Sequence, residues 1–251
     1  MEPPSYRDCA VVYVISKQSY AEETLASAGT VRRAMPGVAI YLKAGREVIT
    51  TAGQWQVFDH ILYVDGMTDS NIRKCCFLDD VAEGKVLYLD SDTYVVSGLR
   101  AAFDLLGKFD IACAHAPFRL GASGMETLPG ISSAFCELNA GVIFCRNSGK
   151  VRDLLRTWRE TYEILNGGTK SAPDQPAFRS AVWNSNVSLY VLPPEYNARL
   201  CFPAFLSGEA RILHCRFVDM AQVAERVNAD LHLRTFLPEE FGIRDRPAAT
   251  L

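Results

Sequence analysis

The amino-acid sequence predicts an α/β fold with a mostly parallel central sheet and helices on both faces of that sheet. Short apolar runs typical of buried strands alternate with helical patterns through the first hundred residues, an order that favours a parallel sheet. The chain has 251 residues, of which 49% are hydrophobic and 22% are charged. It can therefore bury a sizeable core, and its composition does not indicate disorder.

Apolar periodicity locates the elements of the first hundred residues. Buried strands are predicted at residues 8–16, 37–45, 59–66 and 85–92. Between the first two strands, apolar residues recur at the spacing of a helix, at Ala21, Leu25, Ala28, Val31 and Met35. The segment 70–84 predicts a short helix with Ser70 as its N-cap.

The alternation becomes less regular in the second half of the chain. Strands are predicted at residues 109–116, 138–147, 188–197 and 210–217. Residues 151–165 carry an amphipathic helical pattern, which ends at Asn166-Gly167-Gly168. Residues 117–135 contain three glycines and two prolines. A loop of that length in a compact domain is usually functional or mobile.

Charge and composition argue against several classes of protein. The formal net charge is −3 and no long basic run occurs, so a dedicated nucleic-acid binder is not indicated. No apolar run approaches the roughly 20 residues that a membrane span needs, and the polar start MEPPSYRD is not that of a signal peptide. The eight cysteines are scattered without a CxxC pair, which predicts reduced thiols and a cytoplasmic protein.

Two aspartates, Asp90 and Asp92, end the apolar strand predicted at 85–92. In an open parallel sheet, ligands bind beyond the carboxyl ends of the strands. Residues two apart on a strand point to the same side, so the two carboxylates could share a divalent cation. Mg²⁺ and Mn²⁺ both prefer oxygen ligands. The alternative is a solvated turn in which Asp90 caps backbone amides.

Four segments together carry a resemblance to a known family. They are KVLYLDSDTYVV at 85–96, LNAGVIFCR at 138–146, DQPAF at 174–178 and ILHCRF at 212–217. In this order they resemble the DxD, FNAGV, DQ and late histidine segments of glycosyltransferase family 8, a group of GT-A glycosyltransferases that includes glycogenin and bacterial galactosyltransferases. The resemblance covers roughly residues 9–217. It implies the Rossmann-like GT-A fold in a single domain, 1–251, with a C-terminal helix and tail at 218–251.

The resemblance also implies a metal site and a donor diphosphate beside it. Asp90, Asp92 and His214 would bind Mn²⁺ or Mg²⁺, and Ser91 would contribute to donor binding in the same turn. The alternative for His214 is a hydrogen-bonded core histidine. The nearby cations would be Arg73 and Lys74, on the short helix before the DxD strand, and Arg216, in place of a lysine of the family. The alternative for Arg73 and Lys74 is a solvated helix face.

Further matches imply where the donor sugar and its base would lie. Asn139, Ala140 and Gly141 resemble the donor-sugar segment of the family. An amide can both donate hydrogen bonds to sugar hydroxyls and accept them, and glycine permits close approach of the backbone. The alternative for Asn139 is a plain strand-start residue.

The remaining implied site residues flank this segment. Asp174 and Gln175 would lie beside the reacting sugar, although Asp174 could instead be a helix N-cap. Ser16 and Tyr20, after the first strand, would receive uracil and ribose.

The implied activity is metal-dependent transfer of a hexose from a nucleoside diphosphate sugar to a hydroxyl of a glycan or another acceptor. The expected donor is a UDP-sugar. The resemblance implies retention of anomeric configuration, with catalytic roles for Asp174, Gln175 and Asn139. Two alternatives stay open, an inverting transferase with Asp174 or Glu137 as its base and an inactive protein that binds sugar nucleotides. The acceptor is expected to contact the 117–135 loop, which would order over the donor, and the C-terminal third.

Overall fold

The computed structural model describes residues 5–48, 54–67, 70–117, 130–166, 172–216 and 219–242. Its strands are β1 (Cys9–Ile15), β2 (Ala39–Gly45), β3 (His60–Val64), β4 (Lys85–Leu89), β5 (Thr93–Val95), β6 (Ile111–Ala114), β7 (Val142–Arg146), β8 (Leu189–Leu192), β9 (Ala204–Leu206), β10 (Ile212–His214) and β11 (Arg234–Phe236). Its α-helices are α1 (Ala21–Ala34), α2 (Arg100–Leu105), α3 (Gly149–Asn166), α4 (Gln175–Trp183) and α5 (Met220–Val227).

The central sheet has seven strands in the order β3-β2-β1-β4-β7-β6-β8. Pairing is parallel except around β7, which runs antiparallel to both β4 and β6. The predicted mostly parallel sheet is therefore confirmed. Because β7 is reversed, its first residue, Val142, lies opposite Leu89, the last residue of β4. The segment that precedes β7 thus reaches the same edge of the sheet as the segment that follows β4.

Helices cover both faces of this sheet, as the sequence predicts. Val11 and Tyr13 of β1 pack with α1 and α2 on one face, whereas Val12 and Val14 pack with α3 and α4 on the other. All seven residues of β1 are buried. Burial on both faces explains why this strand is an unbroken apolar run rather than an alternating one.

The predicted elements are present with shifted ends, and short elements escape prediction. The helix predicted at 70–84 is a single 3-10 helix, Asn71–Cys76, where Ser70 Oγ accepts a hydrogen bond from the Ile72 N–H at 3.4 Å. The strand predicted at 85–92 ends at Leu89. The sequence does not predict β5, β9, β11 or α2, because three to six residues are too few to show a periodicity.

The C-terminal part forms a separate apolar cluster beside the sheet. There β9 and β11 pair antiparallel and pack with α5, which lies in the predicted C-terminal region. Of the loop predicted at 117–135, residues 118–129 lie outside the described ranges. All eight cysteines are free thiols. Within the described ranges, no helix has the length and apolar character required to cross a bilayer.

Trp158 fixes the start of α4 against α3. The indole is fully buried, its ring centroid lies 4.5 Å from that of Phe178, and its Nε1–H donates to the Asp174 carbonyl at 3.0 Å. This contact holds the residue that precedes α4, and α4 brings Gln175 to the edge of the sheet.

We expect Trp158→Phe to lower the free energy of unfolding by about 1–3 kcal/mol, because it removes a buried hydrogen bond and part of a packed ring. Trp183→Phe is the matched control, since Trp183 is 41% exposed and should change stability by about 0.5 kcal/mol or less. Urea denaturation measures both. Equal losses in the two variants would contradict the anchoring role of Trp158.

Candidate active site

Asp90, Asp92 and His214 converge at the carboxyl edge of the central sheet. One potential ligand atom from each lies within 4.8 Å of the other two. The segment from Asp90 to Asp92 connects β4 to β5, and His214 ends β10, which pairs antiparallel with β5. The prediction that strand alternation aligns the two carboxylates is wrong, because β4 ends at Leu89. A turn and the β5–β10 pairing bring these side chains together instead.

Hydrogen bonds to both its backbone and its side chain hold Asp90 in place. Its backbone N–H donates to the Gly141 carbonyl at 2.8 Å, and its own carbonyl accepts from Thr93 Oγ1 at 2.8 Å. The Tyr88 hydroxyl donates to Asp90 Oδ1 at 2.6 Å. Burial raises the pKa of Tyr88 well above its usual value, so the phenol keeps the proton that it donates. Asp90 therefore bonds to a buried phenol. In the alternative, a solvated turn, its carboxylate would instead cap backbone amides.

Lys74 is a buried cation between two carboxylates. Its Nζ lies 3.2 Å from Asp90 Oδ1 and 3.2 Å from Asp174 Oδ2, and it donates to the Ala140 carbonyl at 3.3 Å. Burial lowers the pKa of Lys74, but Asp174 and Asp90 raise it by more, so the net shift is upward and the amine stays charged. With a side chain only 10% exposed, Lys74 does not lie on a solvated helix face.

A chain of amide hydrogen bonds orients the imidazole of His214. The Gly141 N–H can only donate, and it bonds to Asn139 Oδ1 at 3.0 Å, so Asn197 Nδ2, 2.8 Å from the same oxygen, must donate as well. Asn197 Oδ1 is then the acceptor that faces His214 Nδ1 at 2.9 Å. The neutral imidazole therefore carries its proton on Nδ1. Its Nε2 lone pair is left on the side of Asp92, whose Oδ1 lies 3.4 Å away.

The start of α4 belongs to the same network. Asn139 Nδ2 donates to Gln175 Oε1 at 3.1 Å, so Asn139 is more than a strand-start residue and Gln175 retains its two N–H donors. Asp174 occupies the N-cap position but its side chain makes no capping hydrogen bond. Because it pairs with Lys74 instead, the capping alternative is wrong. Burial raises the pKa of Asp174, an effect that Lys74 partly offsets.

Any side chain at position 141 would clash with the cluster, so only glycine fits there. A Cβ at this position would lie 2.3 Å from His214 Cε1 and 2.6 Å from Asp90 Oδ2. The backbone of this residue can approach the cluster so closely only because glycine has no Cβ.

Charged residues also border Asp92 on the side of α1. Arg216 Nη2 lies 3.9 Å from Asp92 Oδ2, and Arg216 Nε lies 2.9 Å from Glu23 Oε1. Ser91 Oγ donates to Glu23 Oε2 at 3.2 Å. Burial raises the pKa of Asp92, but the protonated form of His214, and then Arg216, lower it by more, so the net pKa lies well below its usual value. Both predicted residues, Ser91 and Arg216, are thus adjacent to the cluster.

The residues predicted to bind the nucleotide lie near the end of β1. Two guanidinium groups lie near the Tyr20 ring, with Arg73 at 5.0 Å and Arg216 at 5.9 Å from its centroid. Ser16 follows β1 directly and is buried. An aromatic ring near two cations at a strand end is suited to an anionic ligand.

Glu137, the other residue predicted as a possible base, is electrostatically coupled to Asp174. Its carboxyl group is buried, and burial raises its pKa against the opposing effect of Arg179. Among the described residues, no hydrogen bond or ion pair joins this carboxylate to Asp90, Asp92 or Lys74.

Sequence reasoning missed Asn197, Glu23 and Tyr88. An amide at the end of the strand predicted at 188–197 is the signal that could have identified Asn197, because ligand-facing residues lie at such ends. Glu23 lies in the first turn of α1, where an acidic residue is already favoured by the helix dipole. Tyr88 lies inside an apolar strand, where a core role is the ordinary interpretation.

Glycosyltransferases are among the solved structures with a similar fold. The glycosyltransferase GlyE of Streptococcus pneumoniae TIGR4 has a TM-score of 0.54 and 19% identity, over 76% of this chain and 47% of the GlyE chain. The galactosyltransferase LgtC, in complex with donor and acceptor sugar analogues, has a TM-score of 0.55 and 17% identity, over 74% of each chain. An active-site mutant of LgtC gives a TM-score of 0.54 and 17% identity.

These comparisons concern the fold. No protein-family model matches the chain, and neither does any curated protein sequence. The chain spans about half the length of GlyE. Its architecture is the GT-A fold of these glycosyltransferases, as the sequence predicts.

We expect Gly141→Ala to weaken binding of Mn²⁺ with UDP by about tenfold or more, because the added methyl group displaces His214 or Asp90 from the cluster. Gly149→Ala is the matched control, since a Cβ at Gly149 meets no atom within 4 Å. Electron paramagnetic resonance of free Mn²⁺ measures the affinity, and a melting curve tests folding. Unchanged affinity in a folded Gly141→Ala protein would contradict this account.

We expect neutral His214 to carry its proton on Nδ1 in the metal-free protein, and Asn197→Leu to remove that preference by removing the acceptor. Nitrogen-15 NMR of the imidazole distinguishes the two tautomers directly. Asn184→Leu is the control, because the Asn184 side chain bonds only to Ser180 among the described residues. An Nε2-protonated ring in the wild-type protein would show that the amide chain is oriented otherwise.

Proposed function

We propose that this protein is a metal-dependent glycosyltransferase that moves a hexose from a nucleoside diphosphate sugar to an acceptor hydroxyl. The observation that carries the proposal is the convergence of Asp90, Asp92 and His214 beside the amides of Asn139 and Gln175, at the edge of the sheet where ligands bind. The GT-A fold supports it, because GlyE and LgtC, which share this fold, are glycosyltransferases.

The residues of the cluster fit a divalent cation. Two carboxylates and one imidazole lone pair form a donor set suited to Mn²⁺, and Mg²⁺ would also accept the carboxylates. Asp90, Asp92 and His214 would hold the ion, and no Cβ of residue 141 intrudes. When bound, the ion would supply Lewis-acid stabilisation of the departing diphosphate.

The surrounding cations and the Tyr20 ring would bind the rest of the donor. Arg216 lies beside Asp92, and like Arg73 it lies near the Tyr20 ring. We propose that Ser16 and Tyr20 contact the uracil and ribose of a UDP-sugar, and that Arg73, Lys74 and Arg216 offset the charge of the diphosphate. Ser91 would help to orient that group.

The amides would orient the hexose. Asn139 holds the Gln175 oxygen, so the Gln175 N–H groups can donate to a sugar hydroxyl. An amide is a poor nucleophile, and among the described residues no hydrogen bond or ion pair joins Glu137 to Asp90, Asp92 or Lys74. Both points favour retention, with the leaving phosphate assisting deprotonation of the acceptor. Asp174 as the base of an inverting enzyme is the second candidate, because burial raises its pKa. Ala140 and Gly141 would contribute their backbone to the sugar pocket.

The acceptor would be a hydroxyl of a glycan or a related compound. The LgtC structure contains both donor and acceptor sugar analogues, which supports two adjacent subsites in this chain. The donor subsite would include the cluster and the end of β1.

We expect Asp92→Asn to abolish both donor hydrolysis and the rise in melting temperature that UDP with Mn²⁺ produces. The substitution keeps the shape of the side chain and removes its charge. A ligand at a hundredfold excess over its dissociation constant stabilises the folded protein by about 2.7 kcal/mol, so the difference is measurable by thermal denaturation. UDP with a chelator should stabilise the wild-type protein little.

The control for this experiment is Asp104→Asn, which removes the same charge from an exposed pair with Arg100. It should leave the response to UDP and Mn²⁺ intact. Wild-type sugar transfer with wild-type metal dependence in Asp92→Asn would refute the proposed metal site.

A further inference from the structure

A cavity of about 190 Å³ lies beyond the carboxyl ends of β6 and β8. Asn197 lines it, and this side chain is hydrogen bonded to both His214 and Asn139. In the order of the sheet, β6 and β8 lie on the opposite side of β4 from β1. A ligand in this cavity would therefore approach the cluster from the side away from Ser16 and Tyr20.

The cavity combines apolar walls with positive charge. Its apolar surface comes chiefly from Leu192, Pro194, Phe202, Pro203 and Phe205. The polar residues among its described lining are His115, Asn197 and Arg199, with no carboxylate. Apolar walls with a few fixed polar groups are typical of small-molecule sites. The aromatic rings suit the apolar face of a saccharide, and no carboxylate lines the cavity beside Arg199.

Arg199 is the residue that indicates the class of ligand. Its guanidinium carbon lies 5.4 Å from the centroid of Phe202, and one Nη lies 3.7 Å from Cys201 Sγ. Its Nε is buried and has no hydrogen-bond acceptor among the described residues. A buried donor without an acceptor is unfavourable. The planar fork of a guanidinium matches the oxygens of a carboxylate or phosphate.

The other arginine beside the cluster differs in its ion pairs. Arg216 lies 2.9 Å from Glu23 and 3.9 Å from Asp92, whereas Arg199 forms no ion pair within the described part of the chain. The two cations also face different spaces, since Arg199 lines the cavity at β6 and β8 and Arg216 lines the one at Ser91 and Asp92.

We propose that the cavity at β6 and β8 is the acceptor subsite, and that the acceptor is an acidic saccharide whose carboxylate or phosphate pairs with Arg199. The inference rests on the proposed function in naming the occupant an acceptor. In this arrangement the saccharide ring packs against Phe202 or Phe205, and its reactive hydroxyl points past Asn197 towards the cluster.

The test compares methyl glucuronide, methyl glucoside and glucose 6-phosphate as ligands in calorimetric titrations. UDP and Mn²⁺ are present throughout, so that phosphate-binding groups of the donor subsite are occupied. We expect one of the two acidic ligands to bind about tenfold or more tightly than the glucoside, because a charge-assisted bidentate pair is lost in the neutral compound. Which acidic ligand binds more tightly distinguishes a carboxylate from a phosphate.

Variants then assign the preference to one side chain. Arg199→Gln should abolish it, and Arg199→Lys should reduce it, because the lysine keeps the charge without the fork. The matched control is Arg156→Gln, which removes an exposed arginine of α3 whose side chain is 65% exposed and should keep the preference. Equal binding of all three ligands by the wild-type protein overturns the inference whether or not the variants fold. An acidic preference that persists in Arg199→Gln overturns it too.

Donor hydrolysis without acceptor separates this inference from the proposed function. If the wild-type protein hydrolyses a UDP-sugar but does not prefer the acidic ligands, the proposed function is supported and the acidic acceptor is contradicted. If the protein neither binds UDP with Mn²⁺ nor hydrolyses the donor, the proposed function is wrong. The assignment of the cavity as an acceptor subsite is then wrong as well. In that case, a preference for acidic ligands that depends on Arg199 would show only that the cavity at β6 and β8 binds anions.

Discussion

The buried ammonium group of Lys74 is the contact on which the geometry of the site depends. Through Asp90 and Asp174, each at 3.2 Å, it joins the 3-10 helix Asn71–Cys76 to the end of β4 and the start of α4. Breaking a buried ion pair by removing one partner costs about 3–5 kcal/mol, because the remaining charge is left uncompensated. The position of α4, and with it that of Gln175, is therefore tied electrostatically to the first aspartate of the cluster.

The reversed direction of β7 allows the polar groups to meet. A parallel strand at this place in the sheet would carry the segment before it, which includes Asn139 and Gly141, to the opposite edge. With β7 antiparallel, that segment lies beside the turn after β4, and Gly141 accepts the Asp90 N–H at 2.8 Å. The short β5–β10 pair then adds His214 from the C-terminal third.

Hydrogen bonds between amides also link the two halves of the proposed site, in addition to the ion pairs of Lys74. Asn139 contacts Gln175 on one side and Asn197 on the other, and Asn197 bonds to His214. An amide presents donors and an acceptor in a fixed arrangement, so the orientation forced by one backbone N–H, that of Gly141, extends to Nε2 of His214, the nitrogen on the side of Asp92. His214, which would hold the metal, and Gln175, which would orient the sugar, are thus both positioned through Asn139.

The sequence by itself determined the elements whose signals are local. The apolar runs of β1 to β4 and the helical periods of α1 and α3 depend on near neighbours in the chain, and the motif with Asp90 and Asp92 can be recognised within a dozen residues. Only the tertiary structure decided that Asp174 pairs with Lys74 rather than capping α4, that Asn197 and Glu23 are hydrogen bonded to residues of the candidate site, and that Arg199 lines a cavity without a carboxylate. These relations depend on the order and direction of strands distant in the chain, which local periodicity does not encode, because it reports which face of an element is buried and not which element covers it.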